Sequence, residues 1–206
     1  MRRCVAFASL AVLFALTTAA SAQENRPASP RGSAQTQVGG TWKGDKYEGG
    51  KWIEIDYGRP IKRQRQTLFG AGPEYGAKLS GGAPVWRAGA NQTSRLHTEV
   101  PLTLGGKKLA AGDYSLFIEL KENGWTLILS TQEPMKAYDP KEKKLIWGSY
   151  GYDAKQDVLR APMKLTQAPR SVDQLTMRFL DVTEKGGTLE VAWDTQDATV
   201  DFTAGG

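Results

Sequence analysis

The chain has 206 residues, with 27 Lys and Arg against 22 Asp and Glu, one His and one Cys, for a formal net charge of +5. So small a basic excess falls short of the electrostatic footprint of a nucleic-acid binder, and a single cysteine excludes a disulfide framework. A lone histidine likewise cannot supply a structural zinc site, so neither a metal nor a cofactor is expected.

Arg2 and Arg3 precede an apolar run from Val5 to Leu16, and Ala20-Ser21-Ala22 supplies small residues at a cleavage site. This is the secretory pattern, and the run is too short for a membrane span of about 20 residues. Residues 1–22 are therefore expected to be a signal peptide that takes Cys4 with it. The product is expected in the periplasm or outside the cell, without a transmembrane anchor. Residues 23–35 carry Pro27, Pro30 and Gly32 without apolar periodicity and read as a flexible leader.

From Thr36 onward nearly every segment is short, β-branched or aromatic, and closed by glycine or a polar turn. Lys51 to Tyr57 alternates Ile53, Ile55 and Tyr57 against Trp52, Glu54 and Asp56, as a half-buried strand does. A strand from Thr93 to Val100 sets Thr93, Arg95, His97 and Glu99 on one face, with His97 turned away from the apolar layer. Tyr114 to Leu120 and Trp125 to Ser130 form a hairpin through Asn123-Gly124. Further strands are expected at Leu145 to Tyr150, Asp157 to Leu165, Gln174 to Val182, Thr188 to Asp194 and Ala198 to Thr203. Turns at Glu184 to Gly187 and Thr195 to Asp197 link the last three. Only Gln132 to Lys144 has room for a helical turn, and Pro134 and Pro140 limit it. The pattern predicts one all-β domain over residues 36–203, a two-layer antiparallel β-sandwich of jelly-roll-like form.

Several motifs occur in a recognisable order: Asp56-Tyr57-Gly58-Arg59-Pro60, Leu68-Phe69-Gly70, Trp86-Arg87-Ala88-Gly89-Ala90-Asn91, Leu104-Gly105-Gly106-Lys107-Lys108-Leu109 and Ala111 to Phe117. Trp147-Gly148, Tyr152-Asp153 and Asp157-Val158-Leu159-Arg160 continue it. Together they resemble domain-of-unknown-function family 2911 (DUF2911) over about Ser29 to Phe202. The resemblance implies an exported bacterial domain and supplies no activity. Gln64 stands where that family usually has glycine, Gln92 where it commonly has Glu, and Ala77 to Ala83 lengthens the loop before Trp86.

The chemistry concentrates around Trp86 to Asn91. Gly89 between two alanines lets the backbone turn tightly, so Trp86 packs inward while Arg87 stays near Asn91. Two readings stand side by side. In one, Arg87 and Asn91 form a pocket for an anion or carbonyl, the guanidinium offering a planar fork of donors. In the other, Arg87 pairs with a buried carboxylate such as Asp56 and the motif is structural. His97 is a candidate acid or base for a hydrolase or isomerase acting on a small polar substrate, although no Gly-x-Ser-x-Gly nucleophile motif accompanies it. Arg59, Lys62, Arg63 and Arg65 form a basic patch that suits anionic glycans or lipid headgroups, or a solvated loop. Most of the six tryptophans are expected in the core, with Trp52 the best exception. The ligand-facing candidates are Arg59, Trp86, Arg87, Asn91, Arg95 and His97. The favoured expectation is an envelope binding or accessory module for a glycan or small anion, with no nucleic-acid partner. The oligomeric state stays open.

Overall fold

The computed structural model describes residues 27–205. The expected signal peptide and Cys4 lie outside these residues. Strands follow at β1 (Arg31–Val38), β2 (Thr41–Lys43), β3 (Lys46–Glu48), β4 (Lys51–Gly58), β5 (Ser94–Thr98), β6 (Leu102–Leu104), β7 (Lys107–Leu109), β8 (Gly112–Lys121), β9 (Gly124–Ser130), β10 (Asp157–Thr183) and β11 (Gly186–Ala204). β2 and β3 make a small hairpin. The others pair antiparallel in the order β1-β4-β5-β8-β9-β10-β11-β6-β7. The one excursion from chain-order pairing carries the β6–β7 hairpin to the far edge against β11, the crossing element that a jelly roll also uses.

Two layers arise because β10 changes partner along its length. Its first part, from Asp157 to Met163, pairs with β9, and from Lys164 onward it pairs with β11. The far part of β10 then returns beside the opposite edge. There Leu175 N donates to Pro60 O at 3.0 Å and Gly39 N to Glu184 O at 2.8 Å. The enclosed core shows the period of 2 expected of half-buried strands: Ile53, Ile55 and Tyr57 are buried while Trp52, Glu54 and Asp56 face outward. Trp86, Trp125 and Trp193 fill its centre, Trp86 lying parallel to Trp193 at 5.9 Å and 12° and edge-on to Trp125 at 6.2 Å. Full burial of one such large apolar side chain stabilises by about 1.5–3 kcal/mol.

The all-β antiparallel sandwich agrees with the strand pattern, but several boundaries differ. β1 begins at Arg31, inside the segment expected to be a flexible leader. Its sequence buries only Ala34 and Val38, so hydrogen bonding to the edge of β4, not an apolar face, recruits it. The two strands expected on either side of residue 170 are one strand, β10, and the two expected around residues 195–197 are one strand, β11. Asp194 takes φ 54° and the β10–β11 register shifts between Gln167 and Val172. Partner strands that bend at the same level keep their ladder, so a bulge replaces the expected turn. Leu145 to Tyr150 contributes only isolated bridges at Ile146, Trp147 and Tyr150. The lengthened loop before Trp86 holds a single helical turn, α1 (Ala77–Ser80).

Candidate functional site

Trp86 is pinned by a pair of backbone hydrogen bonds with Ile118, each 2.8 Å, which sends its indole into the core; its Nε1 donates to Gly89 O at 3.2 Å. Ala88 at φ 49° and Asn91 at φ 64° then turn the chain through the left-handed region. The turn nests directly on the end of β4. A Cβ on Gly58 would fall 2.1 Å from Ala90 O, so the approach requires glycine there. Arg87 is thereby directed outward. Its Nη1 donates to Asn91 O at 2.9 Å, its guanidinium lies 5.5 Å from the centre of the Tyr150 ring, and Gly148 backs it so closely that a Cβ would stand 2.7 Å from Nη1.

The facing wall comes from the connection between β4 and β5. Ile61 bridges to Gln174, and Arg63, not Gln64, adopts the positive φ of 56°. Arg63 N donates to Asp173 Oδ1 at 3.0 Å. Arg65 folds back on this loop: its Nε donates to Lys62 O at 3.1 Å, its Nη2 to Ile61 O at 2.8 Å, and its guanidinium sits 5.4 Å over the Trp193 ring. Lys62 donates to the Asp194 carboxylate and to Ser171 Oγ at 3.1 Å.

Between these walls lies an open cleft of about 480 Å³ with Trp86 and Trp193 at its floor and Lys78 of α1 on its rim. Among the described residues no Asp or Glu lines it. Lys62 is neutralised by Asp194, whereas Arg63, Arg65, Lys78 and Arg87 have no carboxylate within ion-pair distance among the described residues. A guanidinium fixed by carbonyl oxygens and a ring face keeps its charge and its remaining N–H groups in a set orientation. The cleft can hold an anion, while Trp86 and Trp193, each 1 % exposed, form a packed base beneath the Arg65 guanidinium.

Trp86, Arg87 and Asn91 thus meet at one cleft, while the other candidates lie elsewhere. The Arg59 side chain ties the end of β4 to β10 through Leu175 O at 3.3 Å and Thr176 Oγ1 at 3.4 Å. Arg95 and His97 occupy the outer face of β5. His97 Nδ1 is 3.1 Å from Asp113 Oδ1, and Arg95 lies 3.9 Å from Asp113 and 3.6 Å from Glu133. Glu99 accepts from Trp52 N at 2.9 Å instead of steering His97, and Asp56 is exposed opposite Arg95, not buried against Arg87. Sequence reasoning noted the basic run from Lys62 to Arg65 but not that it faces Arg87. It had no signal for Lys78 or for Trp193 as the cleft floor.

Comparison with known proteins gives one family model, Protein of unknown function (DUF2911), which matches residues 41–202. No curated protein matches the chain, and no solved structure matches it. No helix among the described residues is long and apolar enough to cross a membrane.

Proposed function

The chain belongs to the DUF2911 family, and from that premise we propose that it is an exported, non-catalytic binding module that takes an anionic ligand between Arg65 and Arg87. The observation that carries this reading is that Arg65 and Arg87 are each held by carbonyl oxygens and an aromatic face, with Arg63 and Lys78 beside them, around a cleft that no carboxylate lines among the described residues. Such groups are oriented before the ligand arrives, which lowers the ordering cost of binding. Export rests on Arg2-Arg3, the apolar run that follows and the small residues before Gln23. Support for a non-catalytic role is the separation of His97, on the outer face of β5, from Arg87 and Asn91. An acid–base group must reach the atoms it serves, and His97 does not share their cleft.

Calorimetric titration of the processed protein with inorganic phosphate, citrate and galacturonate tests the reading. At least one anion is expected to bind with an affinity that falls about tenfold in Arg65→Ala and in Arg87→Ala, equivalent to about 1.4 kcal/mol each. If none binds, or if both folded variants retain the full affinity, the assignment is wrong.

A further inference from the structure

The wall that carries Arg87's aromatic support also borders a second cavity. The connection from β9 to β10, residues 131–156, is tied down along its length. Met135 N donates to Ile146 O and Ile146 N to Glu133 O, each at 2.9 Å; Asp153 N donates to Gln132 Oε1 at 2.8 Å, and Thr93 Oγ1 to Gly148 O at 2.8 Å. Yet this pinned segment leaves Tyr138 64 %, Tyr150 54 % and Leu145 39 % exposed, three of the six large hydrophobic residues most open to solvent among those described. Rings held in water by a fixed backbone gain free energy when something covers them. Tyr138 and Trp147 stand 5.8 Å apart at 55° and frame a cavity of about 600 Å³ that Asp139 and Asp153 also line.

The turn from Trp147 to Tyr150, closed by Tyr150 N donating to Trp147 O at 3.1 Å, is common to both spaces. Trp147 and Tyr150 line the second cavity, while Gly148 and the Tyr150 ring hold Arg87 in the first. We propose that the two cavities are adjoining subsites for one acidic oligosaccharide, with an anionic group at Arg87 and a pyranose ring against Tyr138 and Trp147. This proposal rests on the anion-binding reading and names its ligand class.

The chemistry of the second cavity decides what lies there. Asp139 Oδ1 and Asp153 Oδ1 each accept a backbone N–H, from Lys141 at 2.9 Å and Lys155 at 3.0 Å, and their Oδ2 atoms accept no hydrogen bond among the described residues. A wholly apolar ligand would bury those oxygens without donors, at a cost, and a small anion would meet Asp139, Glu142 and Asp153 as like charges, which Lys143 and Lys144 on the same lining only partly offset. A pyranose satisfies both demands, because its C–H face packs on a ring and its hydroxyls donate to carboxylates. Charge on the ligand then belongs at the Arg87 side.

The test is calorimetry with tetragalacturonate, hyaluronan tetrasaccharide, neutral maltotetraose and monomeric galacturonate, using the wild type, Tyr138→Ala, Trp147→Ala and Arg87→Ala. One acidic tetrasaccharide is expected to bind at least tenfold more tightly than galacturonate and than maltotetraose. Tyr138→Ala, an exposed position that folding tolerates, is expected to remove that tenfold gain while galacturonate binding stays unchanged. Arg87→Ala is expected to weaken both acidic ligands. If galacturonate binds but no tetrasaccharide gains, or if the gain survives both aromatic substitutions, the extended site is wrong and the anion cleft stands. Equal binding of maltotetraose removes the requirement for acid, and loss of all binding, phosphate included, overturns both proposals.

Discussion

The cleft at Arg87 and the outer face of β5 at Arg95 draw on neighbouring stretches of chain but handle positive charge in opposite ways. On β5, Arg95 lies within 4 Å of both Asp113 and Glu133, so its charge is offset where it stands, and the His97 ring meets the same Asp113 carboxylate at 3.1 Å. In the cleft, Arg65 and Arg87 bond carbonyl oxygens and rest on the rings of Trp193 and Tyr150. A carboxylate both positions and neutralises a guanidinium; a carbonyl positions it and leaves the charge for a ligand. The identity of the partner, more than the number of cations, separates a surface network from a site.

The largest expected effect probes the foundation of the cleft. Trp193→Ala removes a buried indole from beneath Arg65 and should cost about 3–5 kcal/mol in urea unfolding. Trp52→Ala, on the outward face of β4, should change stability by less than about 0.5 kcal/mol. Equal losses would break the distinction between the two faces. A finer comparison uses Gly148 and Gly151, which both take positive φ, 62° and 84°. Alanine at either should cost about 1–2 kcal/mol of backbone strain. Only Gly148→Ala should also weaken anion binding, because its Cβ would press on Arg87 while nothing lies within 4 Å of a Cβ at Gly151. Parallel denaturation and anion titrations separate these outcomes.

Charge removal sharpens the contrast directly. Arg87→Ala should lower anion affinity about tenfold, and Arg95→Ala should leave it within about twofold, as read by calorimetry at low salt. The smallest effect concerns a third kind of charge, a partly buried carboxylate that Arg178 offsets less than burial and Glu190 oppose it. Asp197 has a buried Oδ1 without a hydrogen-bond partner, and burial, with Glu190 nearby, raises its pKa. A raised folded-state pKa adds stability below the unfolded-state value and loses it as pH rises through the folded-state value. Asp197→Asn should therefore stabilise at neutral pH by less than about 1 kcal/mol, since the group is partly open to solvent. Thermal melts should show that gain shrinking as the pH falls through the raised carboxyl pKa.

How much of this was legible depends on where the physics was local. The alternation in β4 and β5 is readable because one face of each strand meets water, and it correctly turns His97 away from the apolar layer. The continuity of β10 through Pro169, and of β11 past Asp194, is not readable. Both sequences look like turns, and only pairing with each other sustains them as strands. The Trp86 to Asn91 turn was visible from its glycine and alanines. Its facing wall was hidden, because Arg65 reaches Trp193 across a long loop and β11 presents Trp193 as an ordinary core aromatic. Sequence adjacency also misled: Arg95 and His97 follow the motif closely, but β5 turns them toward Asp113 and Glu133, outside the cleft.

The shared course of β10 and β11 through both layers has a mechanical consequence. Each layer is a continuation of the other across an unbroken crease, with no loop there to act as a hinge, so neither can slide or peel away alone. Trp193 and Asp194, which support Arg65 and hold Lys62, sit at that crease. A ligand gripping the cleft would therefore stiffen the molecule on both sides of the fold, and its arrival should be felt in amide exchange along strands that it never touches.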